Sequence, residues 1–151
     1  IEDSLENIMD EWNRMAYKKY TTEIPLKPGV RAFLDVLKSK NIPCGIATSN
    51  SRILTEAILK SHQVENYFSV MVTGDEITNG KPDPEVYLEA ARKLGVAPEH
   101  CLVFEDIPFG IMAGKRAGMT VCAVEDDYSM NDMEEKIRLA DFYIKSYEEL
   151  L

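Results

Sequence analysis

Short apolar runs alternate with helix-patterned segments along most of this chain, and that alternation most limits the folds open to it. Residues 44–47, 68–72, 101–104, 121–124 and 142–144 are apolar stretches bounded by polar or turn-forming residues. Between them, apolar residues recur at helical spacing: Val30, Phe33, Leu34 and Leu37; Ile53, Leu54, Ala57 and Ile58; Val86, Tyr87, Ala90, Ala91 and Leu94; then residues 111–116 and 133–139. Strands this short and continuously apolar are covered on both faces. The pattern therefore predicts an α/β chain, a three-layer, doubly wound and mostly parallel sheet. Turn chemistry supports the boundaries. Pro28-Gly29 opens a helix and Asn41-Ile42-Pro43 ends it; Asp83-Pro84 reads as an N-cap followed by a first helical proline; Gly95 and Gly118 stop two further helices. A leading amphipathic helix is expected over residues 3–20, through Ile1, Leu5, Ile8, Met9, Trp12, Met15 and Ala16, with residues 21–27 breaking it. Trp12 and Met15 read as packing residues rather than substrate contacts.

Composition narrows the function classes. The chain has 151 residues, 45% apolar and 28% charged. A domain of this size buries roughly 70% of its unfolded surface, enough for a core without staples. Lys plus Arg number 17 against 26 Asp plus Glu, a net charge of −9. Such a surface does not suit sequence-independent binding to nucleic acid or to an anionic membrane, both of which need a basic face. Acidic clusters do suit divalent cations. No run approaches the roughly 18 apolar residues of a membrane span, and residues 1–10 carry no basic signal-peptide region. Cys44, Cys101 and Cys122 lie in apolar runs without metal-ligand spacing, which fits a reducing, cytoplasmic setting.

In an open α/β sheet, ligands bind outside the carboxyl ends of the strands. Three groups there carry chemistry. Thr48, Ser49 and Asn50 follow the first strand and lead into a helix. Small hydroxyls beside a helix N-terminus make an anion site, of which phosphate is the commonest occupant; the plain alternative is an N-cap. Lys81 sits in Asn79-Gly80-Lys81-Pro82-Asp83-Pro84, where Gly and two Pro fix the backbone and so hold an ammonium that can cancel phosphate charge. The plain alternative is a solvated loop lysine. Glu105 and Asp106 directly follow a buried strand. Paired carboxylates there repel one another unless a cation sits with them, and hard oxygen ligands suit Mg²⁺. Their plain alternative is a dipole partner for the next helix. Together the groups suggest phosphoryl transfer, in which a protein mainly positions and neutralises.

From about residue 25 to the C-terminus, the chain resembles the haloacid dehalogenase (HAD)-like hydrolase superfamily, most closely its subgroup of β-phosphoglucomutase and sugar-phosphate phosphatases. The matching segments are Leu26-Lys27-Pro28-Gly29-Val30, Ile46-Ala47-Thr48-Ser49-Asn50, Gly80-Lys81-Pro82-Asp83-Pro84, and Val103-Phe104-Glu105-Asp106 with Gly110. The resemblance implies a Mg²⁺-dependent enzyme, a phosphatase or phosphomutase acting on a small phosphorylated substrate through an aspartyl-phosphate. Thr48 would hold the transferring phosphate with help from Ser49 and Asn50. Lys81 would neutralise phosphate and nucleophile. Asp106 would ligate the metal, with Glu105 as ligand or supporting partner.

Two departures set further expectations. Nothing matches the family's first motif, a strand ending in Asp-x-Asp-Gly that carries the nucleophile; Asp75, Asp126 and Asp127 are wrongly placed for it. Residues 1–20 then read as the remnant of a helical cap domain, and residues 21–151 as the α/β core lacking its first strand. The nucleophile would lie upstream of this chain, leaving the chain alone inactive. A missing N-terminal segment, or a homodimer exchanging elements, would complete the sheet. Ile107 stands where relatives usually carry Ser, removing a hydroxyl beside the metal. The competing reading is a non-catalytic, degenerate module that binds phosphate or a partner. A response-regulator-like receiver fits less well, because its carboxylate pair belongs on the first strand.

Overall fold

The computed structural model describes residues 5–151. The elements run α1 (Leu5–Thr22), α2 (Val30–Ser39), β1 (Gly45–Ala47), α3 (Arg52–Ser61), β2 (Val70–Val72), α4 (Glu85–Leu94), β3 (Leu102–Glu105), α5 (Pro108–Arg116), β4 (Thr120–Val124), α6 (Met133–Leu139) and β5 (Phe142–Ile144). The alternation read from the sequence is present strand for strand. The part of the leading helix before Leu5, with Ile1, lies outside the described residues. Two boundaries differ. Glu105 belongs to β3 and is buried within it. α4 begins at Glu85 with Pro84 in the cap position, although the Asp83 carboxylate still accepts the Glu85 N–H at 3.0 Å.

All strand pairs are parallel, but they form two sheets: β1 with β2, and β3 with β4 and β5. Among the described residues no strand bridges β1 and β3. The break falls between the strands that lead into Thr48 and Asp106. Helix α4 spans it. Val86, Tyr87, Ala90 and Ala91 share one apolar core with Val72 from β2, Val103 from β3, Ile111 and Ala113 from α5, and Val121 and Ala123 from β4. A second cluster, Leu34, Leu59 and Val64, covers the other face of β1–β2. Phe33, Phe104 and Tyr147 stack with centroids 5.3–5.6 Å apart on the opposite face of β3.

The α2 start is pinned to the C-terminus. Gly29 has φ of +80°, and a Cβ there would lie 2.5 Å from the Glu148 amide nitrogen, so glycine alone fits. Tyr147 N–H donates to the Pro28 carbonyl at 3.2 Å beside it. Helix α1 packs against α3 yet leaves Ile8, Trp12 and Met15 exposed. Trp12 and Met15, read from the sequence as packing residues, are not packed against the rest of the described residues. Among the described residues no helix is long and apolar enough to cross a membrane.

Candidate active site at the open seam

The seam between β1 and β3 opens into a cavity of about 430 Å³, lined by Thr48, Ser49, Asn50, Lys81, Glu105 and Asp106 among others. All six residues singled out from the sequence therefore meet in one place. Phosphate-type and metal-type residues come from opposite sides of the break.

Thr48 continues the β1 ladder, its N–H donating to the Val72 carbonyl at 3.0 Å. Its Oγ1 accepts the Asn50 N–H at 3.1 Å, leaving the hydroxyl proton available to donate. The N-cap of α3 is Ser51, whose Oγ accepts the Leu54 N–H. Thr48, Ser49 and Asn50 are thus not spent on capping. The expected helix-terminal anion site is nonetheless partly used: Asp75 accepts the Arg52 N–H at 2.7 Å. The loop is held from below by Gly74, whose N–H donates to the Asn50 carbonyl at 2.9 Å. A Cβ on Gly74 would run into the Ser49 carbonyl.

Lys81 ties the two sides together. Its ammonium donates to the Ala47 carbonyl at the end of β1, at 3.5 Å, and forms an ion pair with Glu105 at the end of β3. Both side chains are close to fully buried, 10% and 8% exposed. It is a fixed charge, not a solvated loop lysine. The Lys81–Pro82 peptide is cis. The ammonium lies 4.9 Å from the centre of the Tyr87 ring.

Glu105 is the organiser. Oε1 accepts from Lys81 and, at 2.5 Å, from the Tyr87 hydroxyl; Oε2 accepts the Asp106 N–H at 3.1 Å and the Ile107 N–H at 3.5 Å. With both oxygens occupied, this carboxylate holds the lysine and presents no free oxygen to a cation. Its space exists because residue 110 is glycine: a Cβ there would overlap the Glu105 carboxyl group. Burial, followed by the Glu105 charge, pushes the Tyr87 hydroxyl well above the usual phenol range, so it stays a donor.

Asp106 faces the cavity with its side chain 40% exposed. Burial first, then the Glu105 charge, raises its carboxyl above the usual range. A cation beside it would relieve that strain on the charged form. Part of that role is played by Lys27, whose ammonium lies 3.6 Å from Asp106 Oδ2, pairs with Asp126 and donates to the Glu125 carbonyl at 3.2 Å. Burial pushes the Asp126 carboxyl up, but Lys27 outweighs it and leaves it below its ordinary value. Among the described residues no three His, Cys, Asp or Glu side chains converge closely enough to enclose a metal. Asp106 thus fits as one ligand of a hard divalent cation, in a donor set that needs at least one further group.

Sequence reasoning missed Lys27 as a charge partner of Asp106 and Tyr87 as a support for Glu105. Tyr87 was assigned to the core by its helical spacing, correctly, but nothing in that spacing reveals a hydroxyl aimed at a distant carboxylate.

Comparison with known proteins identifies the family and the fold. The family described as haloacid dehalogenase-like hydrolase matches residues 1–124. A phosphorylated carbohydrates phosphatase of Thermotoga maritima is 41% identical over 119 residues, 79% of this chain and 55% of that protein. Hexitol phosphatase B of Escherichia coli is 32% identical over 126 residues, 83% of this chain and 56% of that one. The chain thus spans little more than half the length of these relatives. The structure of CbbY from Rhodobacter sphaeroides in complex with phosphate superposes with a TM-score of 0.86 at 28% identity, covering 99% of this chain and 67% of that one. β-Phosphoglucomutase from Clostridium difficile gives 0.79 at 25% identity, covering 97% and 60%. With a family model matching residues 1–124 and solved structures of the same kind superposing on its fold, the chain belongs to the haloacid dehalogenase-like hydrolases.

Proposed function

We propose that residues 1–151 supply the phosphate-binding and cation-binding half of a Mg²⁺-dependent phosphohydrolase or phosphomutase. The substrate is a small phosphorylated metabolite of the sugar-phosphate kind. The observation that carries this is Lys81, which reaches both Ala47 and Glu105 and so sets a buried positive charge between Thr48 and Asp106. The substrate class follows the relatives, which are phosphatases of phosphorylated carbohydrates and of hexitols.

In this reading the Thr48 hydroxyl donates to a phosphate oxygen, with Ser49 and Asn50 bordering the same anion. Lys81 sits where charge builds on the transferring phosphoryl group, and its bridge to Glu105 removes the need to reorganise during reaction. Asp106 would hold Mg²⁺, which when bound would neutralise phosphate charge. Lys27 keeps Asp126 occupied and offsets the negative charge around Asp106. The attacking carboxylate comes from a strand that fills the seam between β1 and β3. A further segment of the same polypeptide would place that carboxylate beside Lys81. Residues 5–22 would then be the last cap helix, its exposed apolar face meeting the rest of the cap. Phosphatase and mutase share all of these groups.

A non-catalytic, phosphate-binding role is the second reading, favoured by one observation: Glu105 and Asp106 are the only carboxylates lining the cavity among the described residues. The experiment that separates the two is Asp106→Ala in the protein as its gene encodes it. The catalytic reading expects loss of Mg²⁺-dependent turnover with the fold retained by circular dichroism; unchanged turnover removes Asp106 from the metal role.

A further inference from the structure

The structure holds a second buried lysine, hydrogen-bonded to the backbone of Asp106. Lys136, in α6, is 0% exposed and lies within ion-pair distance of no carboxylate among the described residues. Its ammonium instead donates three hydrogen bonds: to the Asp106 carbonyl at 3.1 Å, to the Val124 carbonyl at 3.2 Å and to Ser129 Oγ at 2.8 Å. All three of its protons are used. Ser129, itself buried, donates in turn to the Asp106 carbonyl at 2.7 Å. The Asp106 carbonyl therefore accepts from two buried side chains. One ammonium joins the end of β3, the end of β4 and the turn at Asp127–Asp132.

Burying an ammonium whose hydrogen-bond acceptors are all neutral is costly, the Asp126 carboxylate offsetting it only through space, and an apolar side chain of similar length fills the same space. The three hydrogen bonds and the distant Asp126 charge offset that cost, and their placement singles out one residue. One of its three acceptors is the backbone carbonyl of Asp106, the cavity-lining carboxylate with an oxygen to spare, and another is Ser129, which donates to the same carbonyl. Two donors on one carbonyl fix the backbone from which the Asp106 side chain projects.

We infer that Lys136, together with Ser129, is a positioning residue for Asp106, clamping its backbone so that its carboxylate is set toward the cavity before any cation arrives. The inference rests on the reading of Asp106 as a cation ligand. Partners that orient a metal ligand typically change metal affinity by roughly 10- to 100-fold when removed.

The test is Lys136→Met in the protein as its gene encodes it, with Mn²⁺ as the probe. Two quantities are read: the Mn²⁺ dissociation constant from water-proton relaxation, and amide exchange at Asp106 and Ile107 in metal-free protein. Val86→Ala, a core cavity far from the clamp in function, is the control for simple loss of stability. The expected result is a dissociation constant raised about tenfold or more, with faster exchange at Asp106 and Ile107, in Lys136→Met. Val86→Ala should show neither change. Ser129→Ala removes one of the two donors to the same carbonyl and should give a smaller change of the same sign; it carries the test if Lys136→Met does not fold. Unchanged affinity and unchanged exchange in the clamp variants overturn the inference, as does an equal effect from Val86→Ala. If the unaltered protein binds no Mn²⁺, the metal reading of Asp106 falls, and the clamp is judged on the exchange rates alone.

Discussion

Strands β4 and β1 are both short, parallel and apolar, yet the chain treats them differently. β4 is paired on both sides, and Val121, Cys122, Ala123 and Val124 are all buried. β1 is paired only with β2, and Gly45, Ile46 and Ala47 are each part-exposed. One strand is interior by hydrogen bonding as well as by side chains; the other has an interior sequence and an edge position. Backbone groups on an unpaired edge seek partners, and here the edge lies at the mouth of the functional cavity. In the proposed function, that open edge is where a strand bearing the reactive group would pair.

The largest test of that contrast is Lys81, the side chain that crosses the seam. In the protein as its gene encodes it, Lys81→Ala should lower kcat by about 10²- to 10³-fold, like the loss of one oxyanion donor, about 3–4 kcal/mol. A loss of tenfold or less would make the lysine a structural tie between the two sheets and no more. Steady-state kinetics with p-nitrophenyl phosphate reads this directly.

The next test weighs the strands themselves. Val121→Ala removes two methyl groups from a fully buried site in β4 and should cost about 2–3 kcal/mol by transfer and cavity formation. Ile46→Ala in β1 should cost only about 1 kcal/mol in residues 1–151, because the site is already part-exposed. With a strand in the seam, the two costs should converge. Urea unfolding of both forms checks it; equal costs in residues 1–151 alone would break the comparison.

The smallest effect concerns how the less-paired half is braced. Glu76 pairs with Arg52 at 2.6 Å and with Lys93 at 2.7 Å, and accepts from Thr73, tying the turn after β2 to α3 and α4. Lys93 first, then the Thr73 backbone amide, holds the Glu76 carboxyl down to about 2 from 4.5. A value depressed on folding gives a contribution that is complete above about pH 4.5 and is lost as pH falls toward about 2. Glu76→Gln should flatten the acid limb of the stability curve in that window and leave neutral-pH slopes alone. A limb of unchanged steepness would show that other groups govern acid unfolding.

How much of this was legible in the sequence depends on range. The strands and helices were, because apolar runs punctuated by Gly and Pro are local signals. That Thr48, Lys81, Glu105 and Asp106 would line one cavity was, because each follows a strand end directly or sits in a rigid loop. The cap of α3 was displaced: Ser49 and Asn50 are as good caps as Ser51 by residue type, and only the loop held by Gly74 decides among them. Lys136 was invisible. In α6 hydropathy favours Ile137 for the interior, yet Ile137 is exposed and Lys136 buried. The acceptors that reverse this order lie on β3, β4 and the preceding turn, and no periodicity within the helix encodes them.

The most direct measurement is Mg²⁺-dependent p-nitrophenyl phosphate hydrolysis by two preparations of verified mass: residues 1–151 alone, and the same residues with an N-terminal strand ending in Asp-x-Asp-Gly. The account predicts no turnover from the first and turnover from the second. Turnover by residues 1–151 alone would place the nucleophile among the acids already present and contradict the role given to the seam.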